Sequence, residues 1–366
     1  MTNPYKQAPA SAFWKRAVSS NWEPRLVPRA RLLEQGEKLA SAGSCFAANI
    51  VPHIEAAGFE YVRTEKPCAA FGELARDNFS YSKFSAAYGN IYTARQACQL
   101  LLRAMGRFRP AEDCWVVAED SLVDPFRPGL RHPASSRIEF DALTRQHLAA
   151  VLEAVRCADV FVFTLGLTEA WISSLDGAVF PACPGTIAGS FDASRHVFHN
   201  FSVDEVRQDL SALARLLREV QPRIRLILTV SPVPLVATAT AEHVLTATVY
   251  SKSVLRVAAA EAAANLADVH YFPAYELVTG PQAPERFFQD DRREPSDEAI
   301  ATVMDAFLAH CGCDRTVSAS PSAGGATPAR AVAAPPADPP GGGDAFASEL
   351  SRIVSAAECE EAAAGL

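Results

Sequence analysis

Between Leu39 and Ile50 the hydrophobic period of the chain changes, and this narrows the choice of fold more than any other stretch. Up to Gly43 the residues Leu39-Ala40-Ser41-Ala42 are small and apolar, as in a buried strand. Beyond it Phe46, Ile50, Ile54 and Ala57 recur at helical intervals. A strand that yields to a helix within two residues needs a tight turn, which glycine permits. The start of a helix presents unpaired N–H groups and a positive dipole end. Ser44 is therefore expected to project from the C-terminal edge of a sheet, where open α/β sheets bind ligands, into an anion-accepting site.

Four more strands are expected, at Phe59–Arg63, Asp159–Leu165, Arg223–Val230 and Val269–Phe272. The second of these is a continuous apolar run, the mark of a strand covered on both faces. Helices are expected over Cys45–Ala57 (with Pro52 as a possible kink), Thr93–Ala104, Asp141–Arg156, Val203–Val220, His243–Leu266 and Asp297–His310. Thr93, Ser202 with Glu205, and Ser296 supply N-caps. Strands alternating with helices predict a doubly wound parallel sheet. Short strands are also expected within Cys114–Pro125, and around Trp171 and Ala178–Phe180 with a turn at Asp176-Gly177. The passage Thr64–Asn90 is irregular but rich in aromatic residues, which suits a functional loop better than disorder.

Charge excludes some functions. The net charge of -8 argues against nucleic acid as a partner. No apolar run reaches membrane-spanning length, and Met1–Phe13 lacks the apolar centre of a secretion signal. Nine scattered cysteines read as reduced thiols in a cytoplasmic protein. Cys311 and Cys313 have no second Cys/His pair at metal-binding spacing, so no metal is expected. Residues 1–36 read as a lead segment that lays Tyr5, Phe13, Trp14 and Trp22 on the domain surface. Residues 37–312 read as one catalytic domain. Residues 313–366 read as a tail: 317–343 hold six of the 25 prolines and are expected to be disordered, and 345–364 are expected to form a short helix that docks a protein partner.

Gly43-Ser44-Cys45-Phe46-Ala47 resembles the name motif of the GSCFA family. Three further segments resemble it too: Phe161 to Trp171, Leu228 to Leu235, and Tyr250-Ser251-Lys252-Ser253. That family is similar to the SGNH, or GDSL-like, hydrolases. The resemblance implies a flavodoxin-like three-layer α/β/α sandwich with a five-stranded parallel sheet in the order 2-1-3-4-5. It implies a serine esterase or O-acyltransferase that acts on an ester of a carbohydrate or glycoconjugate, and no cofactor. Ser44 matches the nucleophile and Gly89 the oxyanion-hole glycine. The Gly-x-Asn-Asp block reads Gly166-Leu167-Thr168-Glu169, which leaves Thr168, or Asn90 beside Gly89, to replace the amide. The Asp-x-x-His block reads Asp291-Arg292-Arg293-Glu294.

Loss of that histidine matters because serine needs a base, and glutamate is a weak one at neutral pH unless burial raises it. His243, after the Ser-Pro-Val-Pro loop, is the first candidate for a substitute, and His199 the second. Glu294 either acts as the base or pairs with Arg292 or Arg293, and Asp291 either orients the base or binds an arginine. Cys45, His53 and His270 read as structural. Glu169 reads as a partner for an arginine of the site, and Trp171 as a core residue or a platform for a sugar ring. The alternative to an enzyme is a weakened binding protein that holds a glycan or acyl ligand.

Overall fold

The computed structural model describes residues 3–18, 33, 34, 36–65, 83–119, 121–129 and 133–310. Its centre is a sheet of five parallel strands: β1 (Lys38–Gly43), β2 (Glu60–Tyr61), β5 (Val160–Leu165), β9 (Arg225–Val230) and β10 (Val269–Tyr271). They lie side by side as β2-β1-β5-β9-β10, which is the expected order 2-1-3-4-5. The register sets Gly43 opposite Thr164 and Thr164 opposite Thr229.

Alternation along the strands assigns the two faces. Ala40, Phe161, Phe163, Leu226 and Leu228 meet α4 (Ala94–Ala104), α5 (Arg137–Cys157), α6 (Val203–Val220) and α7 (Val244–Asn265). Leu39, Val160, Val162 and Ile227 meet α2 (Cys45–Ala48), α3 (Ile50–Ala56), α8 (Ala274–Thr279) and α9 (Asp297–His310). The layers are therefore α/β/α. A hairpin, β3 (Trp115–Ala118) with β4 (Ser121–Val123), stands apart from the main sheet. An antiparallel sheet of three strands also lies outside it: β6 (Glu169–Ser173) between β7 (Val179–Phe180) and β8 (His196–Asn200).

Several expectations are revised. The helix expected over Cys45–Ala57 is two pieces that break at Asn49, because Pro52 has no N–H to give the carbonyl of Ala48. The strand expected over Phe59–Arg63 shortens to two residues. Helix α5 begins earlier than Asp141, since Ser136 accepts the N–H of Glu139 and caps it. Strand β8 and helix α8 were not expected. Tyr5 and Trp14, expected to lie on the domain, are 70% and 69% exposed and belong to short turns, the latter in α1 (Trp14–Ala17). The tail 313–366 and the aromatic passage over 66–82 fall outside the described residues.

Candidate active site

Ser44 is the N-cap of α2, directly after β1. The turn requires glycine before it: Gly43 has φ +146°, and a Cβ there would lie 2.4 Å from the carbonyl oxygen of Thr164. Ser44 is 3% exposed at the strand end from which it is expected to project. Its Oγ is buried and, among the described residues, has no hydrogen-bond partner. A Cβ at Gly166 would meet Cβ of Ser44 at 3.2 Å and Cδ1 of Tyr92 at 3.0 Å. The Gly166 backbone thus lies against the serine, and a side chain there would crowd both Ser44 and Tyr92. Buried polar atoms are usually satisfied, so an orphan hydroxyl at the end of a central strand marks a place where the fold leaves a bond for something else. Thr164 and Thr229, in register on neighbouring strands, also have buried, unpartnered hydroxyls.

The turn Gly166–Thr168 that covers Ser44 is pinned at nearly every polar atom. Gly166 and Leu167 donate their N–H groups to the carbonyl of Tyr92, at 3.0 and 3.3 Å. The carbonyl of Gly166 accepts from Nζ of Lys252 at 2.6 Å. The N–H of Thr168 donates to Oγ of Ser251 at 3.0 Å, and its carbonyl accepts from Phe201 N–H at 2.8 Å. Ser251 and Lys252 are both buried on α7. In the sequence they stand within a motif that resembles the family's, with nothing local to mark their role. Their separation of more than eighty residues from the turn hides the contact.

Thr168, expected to stand in for an amide, is fully buried, and its hydroxyl donates to Oδ1 of Asn200 at 2.7 Å. Its proton is therefore committed to the fold. Asn200 itself is half-buried on β8. With its oxygen held by Thr168, its amide N–H groups are the donors left beside that block. The sequence reading passed over Asn200.

Gly89 has φ +66°, the left-handed region that glycine enters without strain. Among the described residues its N–H has no hydrogen-bond partner. Asn90 donates Nδ2 to the Tyr92 hydroxyl at 3.1 Å, and its carbonyl accepts from Gln96. The N–H of Ser44 donates to the carbonyl of Thr164 at 3.2 Å.

Behind this loop lies a buried charge cluster. Oε2 of Glu65 accepts the N–H of Ala87 and meets Nδ1 of His147, both at 2.7 Å. Arg127 reaches Oε1 of Glu65 at 3.5 Å and Oδ2 of Asp124 at 3.2 Å. Burial alone would raise the Glu65 carboxyl. His147, Arg127 and the Ala87 N–H outweigh it and hold the group down at about 2. Burial, followed by the Arg127 charge, pushes His147 below its ordinary value. Burial pushes the nearby core thiol Cys98 up to about 12, which leaves it inert.

None of the expected bases is hydrogen-bonded to Ser44. His243 is exposed and accepts the N–H of Leu245 at 3.2 Å, which caps α7. His199 bonds Glu205 at 2.8 Å and packs edge-on against Phe201. Asp291 and Glu294 are exposed in a surface turn, where Oδ1 of Asp291 accepts the N–H groups of Arg293 and Glu294. Arg292, with φ +55°, approaches Glu285, not Glu294. Among the described residues Glu169 binds no arginine: it accepts from the Thr238 hydroxyl at 2.6 Å and the Ala239 N–H at 3.1 Å. Trp171 lies between the edges of Phe191 and Phe198.

Among the described residues no helix is long and apolar enough to cross a membrane. In structure the chain is similar to a carbohydrate esterase family 3 protein from Talaromyces cellulolyticus, at 9% identity over 74% of this chain and 94% of that one, with a TM-score of 0.33. It is similar to a GDSL-like lipase from Bacteroides thetaiotaomicron, at 11% identity over 79% and 93%, with a TM-score of 0.33. A carbohydrate esterase family 2 enzyme from Corynascus thermopiles gives 14% identity over 78% and 69%, with a TM-score of 0.30. The comparison with curated proteins gives no match. The family model of GSCFA spans residues 38–307, from the first strand to the last helix, and the chain belongs to the GSCFA family.

Proposed function

We propose that the chain handles the acyl group of an ester at Ser44, as a serine esterase or O-acyltransferase whose substrate is an ester of a carbohydrate or glycoconjugate. One observation carries this reading: a buried serine hydroxyl with no protein partner, at the C-terminal end of a central parallel strand. In the reaction Ser44 Oγ forms a bond to the acyl carbon. The carbon–oxygen bond to the alcohol breaks, and the alcohol leaves with the proton that the serine loses. Water or a second alcohol then takes the acyl group and restores the hydroxyl. Gly89 N–H and the amide of Asn200 are the donors left for the developing oxyanion. With no imidazole on the serine, turnover is slow, since loss of a triad base costs several powers of ten.

A fluorophosphonate probe tests the proposal. Covalent labelling of the folded protein that disappears in Ser44→Ala supports it, and no labelling overturns it. A second reading, a binding protein that has lost turnover, is favoured by one observation. Asp291 and Glu294 form a solvent-exposed turn with no bond to the serine. Ligand binding without labelling is the outcome that selects it.

A further inference from the structure

A cavity of about 230 Å³ opens where the loop after β9 faces the β6–β8 sheet. Leu167, Trp171, Phe180, Phe198 and Leu235 give it a hydrocarbon wall, and Tyr92 forms its inner end. A Cβ built on Gly166 would meet both the ring of Tyr92, at 3.0 Å, and Cβ of Ser44, at 3.2 Å, so the cavity's Tyr92 and the serine flank the same glycine.

The polar residues of the wall decide what it takes. Gln96 accepts the Tyr92 N–H and donates to the Asn90 carbonyl. Glu169 spends both oxygens on Thr238 and Ala239. The hydroxyl of Thr186 donates to the carbonyl of Cys183, and that of Thr238 donates to Glu169. A sugar subsite needs convergent polar groups free to read hydroxyls. Here those groups are turned to the protein's own backbone and side chains, and carbon faces the space.

We infer that this cavity is the acyl-chain site, and that the ester carries an acyl group longer than acetyl. The inference rests on the reading of Ser44 as the acyl acceptor. At about 230 Å³ the space is several times what one methyl-sized group fills, so it holds more than the methyl of an acetyl group. The alcohol part of the ester then lies on the other side of Tyr92, toward Gly89.

Calorimetric titration of the full chain with octanamide and acetamide tests this without relying on turnover. Burial of six more methylenes predicts octanamide binding at least about 100-fold tighter than acetamide. Ala237→Trp, on the exposed loop of the cavity wall, fills the space. It is expected to weaken octanamide at least tenfold with an unchanged melting temperature. Ser44→Ala is expected to bind octanamide as the wild type does. Octanamide no tighter than acetamide overturns the inference, as does undiminished binding by folded Ala237→Trp or preferential binding of a methyl pentoside. The two readings fail separately: octanamide binding without fluorophosphonate labelling removes the nucleophile and keeps the cavity, and labelling without octanamide preference does the reverse.

Discussion

Lys252 donates its ammonium to the carbonyl of Gly166 at 2.6 Å from a position only 2% exposed. Gly166 is the residue packed on Cβ of Ser44, so the lysine sets the height of the backbone over the serine. Lys252→Met leaves that carbonyl buried without its donor, at a cost of about 1–3 kcal/mol. Fluorophosphonate labelling of Ser44 is expected to slow more than tenfold in the folded variant, with Lys252→Arg recovering part of the rate. Denaturant melts and labelling time courses check both effects, and an unchanged rate in folded Lys252→Met would sink the positioning role.

Tyr92 lines the cavity and packs its ring beside the glycine that lies on Ser44. Tyr92→Ala keeps the backbone carbonyl that holds Gly166 and Leu167 but removes that ring. The labelling rate is expected to rise about tenfold. A fall in rate would mean that the ring positions the probe and does not shield the serine.

Glu294→His puts back the histidine of the Asp-x-x-His block that the resemblance to SGNH hydrolases implies. Because position 294 is exposed and its turn is fixed by Asp291, the imidazole is expected to stay out of reach of the serine. Ester hydrolysis and labelling should remain within twofold of wild type. A gain of a hundredfold or more would show that this turn swings onto Ser44.

Acid should loosen the loop behind the site. Glu65 is ionised down to about 2 in the fold, against an ordinary 4.5. It therefore stabilises the fold above that ordinary value, and the contribution is lost as pH falls from 4.5 toward 2. His147, pushed below 6.5, is held neutral in the fold. Its contribution is complete above 6.5 and is lost as pH falls below it. Urea midpoints are expected to decline below about pH 6.5 and again below about pH 4.5. His147→Gln should flatten the first decline, and Glu65→Gln should cost about 1–3 kcal/mol at pH 7 by weakening its bonds to His147 and the Ala87 N–H, while Arg127 keeps Asp124. A flat profile from pH 7 to 4 would contradict the assignment.

The sheet was legible because its strands announce themselves one at a time. Leu39–Ala42, Phe161–Leu165 and Leu226–Val230 are each largely apolar on both faces, while the order of the strands came from the family resemblance and not from the strands themselves. Ser44 was legible because strand and helix periods meet there. What escaped depends on partners far away in sequence. His196–Asn200 carries three polar residues in five and acquires strand character only by pairing with Glu169–Ser173. Lys252 looks like a surface lysine until the Gly166 carbonyl is placed above it. The surroundings of His243 and His199 are set by local geometry that the sequence does not display, one as a helix cap and the other bonded to a carboxylate six residues on.

Gly43 and Ser44 are neighbours that answer to different masters. The missing side chain at 43 is dictated by Thr164, whose oxygen would sit 2.4 Å from any Cβ there, so architecture alone forbids change. Nothing in the packing makes the same demand of the hydroxyl at 44. Natural variants that have abandoned chemistry should therefore keep the first residue and drift at the second, which makes that dipeptide a simple way to sort working copies from silent ones.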